Sequence, residues 1–493
     1  MGACKNLTKL KKENRPVLIG IGSIQQKDSF KKLDEALILM DKAVKNALND
    51  VGNGKIKNYI DVIQTPKGFW RYRDPGRWIA TNNQISNIQT TVSKIGVLQQ
   101  SLINSVCKKI SNGEIRCGII VGGEARYKLL KSIIEKKEFE ETLLINNPDF
   151  YIKAKEDLQT SIEEKELGSM AVGYYSIIES SFRAHNKKKF DEHHKKIAET
   201  YEKFSEIASK NMSGWIDEPF KWNEIIENSD KNPVLAFPYN KRHCTSWNVN
   251  QAAALIICSE KIADELNIDS GKRTYLIGSS ENNHMISTIQ RPNLSESKGL
   301  LMASKFILDI CKKHNLNVKL FDLYSCFPVA VQLFAKALGI KDLKNATVTG
   351  GMSFAGGPLN SYVLNSTVKL IEELRKGKYK EGIVTGVSGM MTKQSFALWS
   401  QNPYDGFCFY DATNEASKLE KPIKISEKTS GEGKIIGYTV LKKDNEDTAI
   451  MVVEDNNNER YLVKTSDVNI VNSMTSKEWV NRKVTFKENI LTS

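Results

Sequence analysis

Glu381-Gly382-Ile383-Val384-Thr385-Gly386, an apolar run next to glycine that follows the helical pattern of Pro358 to Arg375, repeats an order met once before in the chain. The earlier instance is Cys117-Gly118-Ile119-Ile120-Val121-Gly122-Gly123, behind the helical pattern of Gly96 to Ile110. Short apolar runs bounded by glycine read as buried strands, and apolar residues spaced three or four apart read as helices with one buried face. Working outward, Tyr59-Ile60-Asp61-Val62-Ile63 precedes the first pair, and Val318-Lys319-Leu320-Phe321-Asp322-Leu323 precedes the second. Matching Asp61 to Asp322 gives an offset of 322 − 61 = 261, and Gly118 to Gly382 gives 382 − 118 = 264. Offsets this close predict a duplicated unit with one short insertion. Pro16 to Gly22 adds a first strand, and Leu33 to Asn49 and Leu300 to His314 add helices. Strands alternating with helices imply parallel sheets covered on both faces.

Between the copies, Arg126 to Tyr239 is charged, aromatic and helix-rich, and reads as an inserted subdomain in which the Lys-rich neighbourhood of His193-His194 is a solvated face. The first unit resumes at Ala252-Ala253-Ala254-Leu255-Ile256-Ile257. From Lys424 onward the pattern turns to short alternating strands, among them Ile435 to Leu441, Ala449 to Val453 and Tyr461 to Val463, which predict a small β-barrel of the oligonucleotide/oligosaccharide-binding type. The expected organisation is a tail at 1–15, a first half at 16–125 and 245–292, a helical subdomain at 126–244, a second half at 293–412 and the barrel domain at 425–493.

Composition narrows the function. A chain of 493 residues needs more than one core. No window approaches the roughly 18 consecutive apolar residues of a membrane span, and Met1 to Arg15 lacks the apolar centre of an export signal. The eight cysteines stand singly, without zinc spacing, so reduced thiols in a cytoplasm and no metal site are expected. The net charge of +13 is spread along the chain without an aromatic-interleaved basic stripe. That favours a small anionic ligand such as a nucleotide phosphate over nucleic acid.

Several segments together resemble the thiolase superfamily. Gly350-Gly351-Met352-Ser353-Phe354-Ala355-Gly356-Gly357-Pro358 has the layout of its Gly-Gly, four residues, Gly-His-Pro segment, with Gly357 in place of histidine. Tyr324-Ser325-Cys326-Phe327 stands where the family has Asn-Glu-Ala-Phe or His-Asp-Cys-Phe. Thr91 to Gly96 looks like the segment entering the nucleophile helix, with Ser93 for the cysteine, and Gly386-Val387-Ser388-Gly389 looks like the Cys-x-Gly loop without its cysteine. Trp70 to Pro75, Phe237 to Lys241 and the extra β-domain are most like the sterol-carrier-protein thiolase-like proteins of type 1.

The resemblance implies a duplicated five-layered αβαβα fold with acyl-CoA, or coenzyme A, as ligand and no covalently bound cofactor. It also implies a loss of chemistry. The family's helix-borne cysteine attacks a thioester and the histidine serves as its base; here Ser93, Gly357 and Gly386 stand at the three catalytic places. Losing a nucleophile and base together costs about 10⁶-fold in rate. The candidate catalytic residues are Cys326, Tyr324 and Ser93, and the candidate ligand-binding residues are Gly356, Gly357, His243 and Asn250. Cys326 reads either as a proton shuttle or substitute nucleophile or as a small packing residue, and Ser93 either as catalytic or as a helix N-cap. Two functions follow from the resemblance. One is an acyl-CoA-binding acyltransferase scaffold with a degenerate site, either inactive or running a modified acyl transfer on acyl-CoA. The other is a non-catalytic lipid- or protein-binding module supporting another acyl-CoA enzyme through its C-terminal domain. The chain is expected as a monomer or homodimer.

Overall fold

The computed structural model describes residues 10–154, 157–442 and 446–492. The tail expected at 1–15 therefore lies mostly outside the described residues, and its described end is pinned by Arg15, a buried guanidinium paired with Glu260. The strands of the first half are β1 (Pro16–Gln25), β2 (Ile60–Pro66), β3 (Gln89–Ser93), β4 (Cys117–Ala125) and β5 (Phe150–Ile152). The inserted segment adds the short pair β6 (Val234–Ala236) and β7 (Tyr239–Asn240) before β8 (Asn250–Ser259) rejoins the first sheet. The second half holds β9 (Tyr275–Asn282), β10 (Leu320–Asp322), β11 (Glu381–Ser388), β12 (Lys393–Ser400) and β13 (Cys408–Asp411). The last domain is built from β14 (Gly431–Leu441), β15 (Thr448–Glu454), β16 (Arg460–Thr465), β17 (Lys483–Lys487) and β18 (Ile490–Leu491).

The two large sheets run β1-β8-β4-β2-β3-β5 and β10-β11-β12-β9-β13. Their centres repeat one plan. Parallel β2–β4 answers parallel β10–β11, and the antiparallel pairs β4–β8 and β8–β1 answer β11–β12 and β12–β9. The sheets are thus mixed, not parallel as the alternation implied. The strand running against its neighbours is β8 in the first sheet and β12 in the second, and buried apolar runs such as Ala252 to Ile257 and Phe396 to Trp399 carry no mark of strand direction. β9 also lies within 245–292 but pairs in the second sheet, so the boundary between the halves falls before Tyr275.

Ladder register refines the duplication. Val62 lies across from Gly118, and Leu320 across from Gly382. The Asp61–Asp322 match is therefore not a structural equivalence, whereas the 264-residue offset is. A Cβ on Gly118 would meet Val106 at 2.9 Å, and one on Gly382 would meet Leu370 at 2.9 Å, with 370 − 106 = 264. Each glycine lets its strand pass close under the preceding helix, Gln99–Ser111 in one copy and Tyr362–Arg375 in the other. These two helices touch both sheets and form the middle layer. Helices Ala36–Val51 and Lys298–Lys313 cover the outer faces with continuous stripes such as Leu37, Met40, Val44 and Ala47. The result is the αβαβα stack.

The C-terminal strands close as β14-β15-β16-β18-β17-β14, a five-stranded barrel with the helix Val468–Met474 between its third and fourth strands. This is the expected Greek-key barrel. Its core holds Ile435, Tyr438, Val440, Met451, Val463 and Phe486. The barrel is bound firmly to the inserted segment. Leu441 of β14 pairs with Ala236 of β6, and Gly437 approaches helix Ala171–His185 so closely that a Cβ would meet the Ile177 carbonyl at 2.9 Å. Among the described residues no helix is long and apolar enough to cross a membrane.

Candidate functional site

The two middle helices begin at the same place. Gln99, the first residue of its helix, accepts a hydrogen bond from the Val363 amide through Oε1 at 2.7 Å, and 363 − 99 = 264 makes the pair pseudo-equivalent. Tyr324, following β10, has its amide bound to Thr385 of β11 at 2.8 Å, its phenol hydrogen-bonded to Gln99 and its ring edge-on to Tyr362. Burial pushes the Tyr324 phenol well above its ordinary range.

Cys326 sits two residues on, before helix Pro328–Leu338. Its carbonyl accepts from Thr245 Oγ1 at 3.1 Å, and Ser325 Oγ accepts from the Met352 amide at 2.9 Å. Backbone bonds complete the knot: Ser246 N to Met352 O at 3.0 Å, and Gly357 N to Ser246 O at 2.9 Å. The Cys326 thiol meets the Tyr175 phenol, which also reaches the Gly389 carbonyl at 3.3 Å. The inferred loops at 324–327, 351–358 and 386–389 are thereby brought together under the inserted helix. Burial holds the Cys326 thiol up to about 12, so at neutral pH it is a thiol and not a nucleophilic thiolate.

Gly357 is buried and without room. A Cβ there would lie 2.3 Å from Thr245 Cγ2 and 3.0 Å from Met352 Cε, so an imidazole does not fit. Gly386 is similar, its Cβ position 2.6 Å from Ser395 Oγ. Gly356, with φ +93°, faces Gln251, whose Nε2 donates to the Ala355 carbonyl at 2.8 Å. Asn250, the candidate beside Gln251, points the other way along the strand. Its Oδ1 accepts from the Lys128 amide and its Nδ2 donates to the Asp34 carbonyl, so it ties helix Arg126–Ile134 to the loop before Ala36 and not to the Cys326 cluster. Gln251 is the residue that reaches the glycine loop.

Ser93 also departs from expectation. It closes β3, opposite Pro66, and its buried hydroxyl has no hydrogen-bond partner. The N-cap of the following helix is Leu98, so Ser93 is neither the cap nor the residue at the helix start. The position facing Tyr324 is Gln99, which the sequence reading passed over. Its signal was available, because the 264-residue offset places Gln99 on Val363 at the head of the second helix.

His243 is buried beside Tyr201 and Tyr239, and its Nδ1 accepts from the Asn240 amide at 3.2 Å. Burial lowers it to about 4, so it is neutral. The arginines near Trp70 serve the fold: Arg77 pairs with Asp149 and Arg73 donates to the Ile145 carbonyl.

Similarity to solved structures agrees with this arrangement. A monomeric SCP2-thiolase-like protein type 1 from Mycobacterium smegmatis superposes with a TM-score of 0.81 over 97% of this chain and 99% of its own, at 22% identity. The chain has the thiolase fold. An acetyl-CoA acetyltransferase from Syntrophomonas wolfei matches over 79% of this chain and 99% of its own, with TM-score 0.55 and 14% identity. The human mitochondrial 3-ketoacyl-CoA thiolase in complex with CoA matches over 79% and 98%, with TM-score 0.53 and 16% identity. The share of this chain covered is higher for the mycobacterial structure than for these two. No family model matches the chain, and no curated protein matches it in sequence. On this thiolase fold the loops at 324–327, 351–358 and 386–389 are gathered, with glycine at 357 and 386 and glutamine at the head of the first middle helix.

Proposed function

We propose that this protein binds acyl-CoA in the manner of a thiolase scaffold and does not carry out thiolysis or Claisen condensation. The observation that carries the second half is Gly357, whose Cβ position is already filled by Thr245. Without a base beside it, the Cys326 thiol stays protonated. The first half is supported by the fold, by the CoA complex of a thiolase of the same fold and by the excess of positive charge, which suits a pyrophosphate-bearing ligand. In this reading Cys326, Tyr324 and Gln99 line the acyl end, Gly356 and Gly357 offer backbone to the thioester, and His243 supports the loop Cys244 to Ser246. Ser93 has no part in it. A role in cytoplasmic lipid metabolism would follow.

Calorimetry with CoA and acetyl-CoA tests the binding, and thiolysis of acetoacetyl-CoA tests the chemistry. Saturable binding is expected, together with a thiolysis rate equal to buffer for both wild type and Cys326→Ser. A rate above buffer that Cys326→Ser abolishes would overturn the proposal, as would an absence of binding.

The alternative, a non-catalytic module that supports another acyl-CoA enzyme, is favoured by Val468 and Ile490, apolar side chains left exposed on the barrel. An Ltp2-ChsH2(DUF35) aldolase has the same fold over 78% of this chain, with TM-score 0.56 and 13% identity. Val468→Glu combined with Ile490→Glu would abolish capture of such an enzyme by this protein while leaving CoA binding unchanged.

A further inference from the structure

The second sheet ends differently from the first. In the first half the outer edge of β2 is covered by parallel β3 and then by β5. β10, which answers β2 in the second half, is the last strand of its sheet. The chain returning from helix Pro328–Leu338 reaches the far end of β10, where the Leu323 amide donates to the Ala346 carbonyl at 2.9 Å. The next amide, that of Tyr324, turns instead to Thr385 of β11. Backbone groups alternate in direction along a strand. Phe321, two residues before Leu323, therefore directs its amide and carbonyl away from β11, and no partner meets them among the described residues. An edge left open in this way is a template for one more strand.

Beside that edge lies an open groove of about 440 Å³. Phe321, Ile340, Val348 and Tyr379 supply apolar walls, with Lys319 and Asp342 among them. Asp342 is committed, Oδ1 to the Lys344 amide at 3.1 Å and Oδ2 to Asn345 Nδ2 at 3.0 Å. Lys341 and Lys344 flank it in the chain, and the Lys378 ammonium lies over the Tyr379 ring at 5.3 Å. Lys319, Lys341, Lys344 and Lys378 are all exposed, and none of them forms an ion pair among the described residues. Two such edges laid together would set lysines on lysines, so like charge rejects a second copy of this chain. A strand that carries carboxylates meets the opposite sign. The other lysine-rich stretch is a different case. His193, read from sequence as part of a solvated face, is 3% exposed and bonded through Nε2 to the Glu179 carboxylate at 2.7 Å, so its ring faces inward.

We infer that the open edge of β10 is a docking site for an acidic, extended segment of a partner protein. The segment adds a strand beside β10, hydrogen-bonds the Phe321 backbone, sets apolar side chains against Phe321, Val348 and Tyr379, and places its carboxylates near the four lysines. Docking here does not depend on acyl-CoA and is tested without it.

The probe is a short, fluorescently labelled peptide that alternates glutamate and valine, titrated with the full-length protein and followed by anisotropy. Saturable binding is expected, and Lys319→Glu combined with Lys344→Glu should weaken it about tenfold. Both lysines are exposed, so the variant is expected to keep the fold, which circular dichroism checks. The same peptide methylated on every backbone nitrogen keeps its charge but loses its strand donors, and should bind at least tenfold more weakly. A peptide alternating lysine and valine should not bind. The inference is overturned if the acidic peptide shows no saturable binding, if the charge reversal leaves its affinity unchanged, or if the methylated or the lysine peptide binds as tightly. It is overturned also if a single-stranded oligodeoxynucleotide of equal charge binds more tightly than the acidic peptide.

Discussion

At the scale of single residues, the candidate site is defined by what no longer fits. Gly357→His places an imidazole in a position where even a methyl group collides with Thr245 Cγ2. Overpacking of this kind costs about 1–3 kcal/mol. The variant is therefore expected to lose that much stability in urea denaturation and to gain no thiolysis. Cys326 gives a second test. With its thiol held up to about 12, roughly one part in 10⁴ is thiolate at pH 8. Labelling of Cys326 by iodoacetamide, followed by mass spectrometry of the native protein, should proceed at least a hundredfold more slowly than in the urea-unfolded chain. His243 sets a pH dependence. Its folded value of about 4 lies below the ordinary 6.5, so above pH 6.5 it is neutral in both states and costs nothing. As pH falls from 6.5 towards 4, the unfolded chain takes up a proton that the folded one refuses, and about 3 kcal/mol of stability is lost. His243→Asn keeps an acceptor for the Asn240 amide and removes the titration. Comparing wild type and variant at pH 7 and pH 4.5 should show a smaller acid loss in the variant, and equal losses would refute the assignment.

At the scale of elements, the joint between helix Ala171–His185 and β14 combines buried hydrogen bonds with the ion pair of a buried guanidinium. Ser180 Oγ donates to the Tyr438 carbonyl at 2.9 Å and accepts from the Tyr438 amide at 2.8 Å, filling a gap in the strand's own ladder. Arg183 is fully buried, paired with Glu478 at 2.8 Å and bonded to the Tyr438 hydroxyl at 2.9 Å. Removing one member of a buried pair costs about 3–5 kcal/mol. Arg183→Ala should lower the urea midpoint accordingly, and Arg183→Met, which fills the space without the charge, should recover part of the loss. None of this joint was legible in the sequence. Arg183 lies in a helix whose neighbours are charged, and its partner is 295 residues away. What was legible were elements with a period. The helices Gln99–Ser111 and Tyr362–Arg375 and strands β4 and β11 carry apolar patterns that survive on their own. β9 and β12 join a short apolar run, Tyr275 to Ile277 and Phe396 to Trp399, to buried Ser279, Ser280, Gln394 and Ser395, so only part of each strand leaves a mark on hydropathy. The candidate site divides in the same way. Tyr324, Cys326 and Gly357 followed from motif order and do meet in space. Ser93 was misplaced because the loop Lys94 to Leu98 separates strand end from helix start, and only the register of the second copy reveals Gln99.

At the scale of the whole chain, the barrel's attachment decides how the protein unfolds and which truncations are informative. Barrel domains on flexible linkers melt independently, but here the linker itself is hydrogen-bonded into the body. Ile423 donates to the Gln290 carbonyl at 2.8 Å, and the Arg460 amide donates to the Lys424 carbonyl at 2.9 Å. β14 in turn shares its edge with β6 of the inserted segment. Deleting 425–493 would therefore not release a spare module. It would uncover Ile177, Ser180 and Arg183, all buried, and leave the Arg183 guanidinium without its carboxylate. The truncated chain is expected to aggregate or to bind hydrophobic dyes, while the full chain is expected to unfold in one calorimetric transition that coincides with loss of near-ultraviolet dichroism. Two separated transitions, the first abolished by the truncation, would show the barrel to be an autonomous domain and would weaken the link between its docking and the shape of the Cys326 cluster. A single transition would mean that any partner gripping the barrel also bears on the helix carrying Tyr175, the residue that holds the Cys326 thiol.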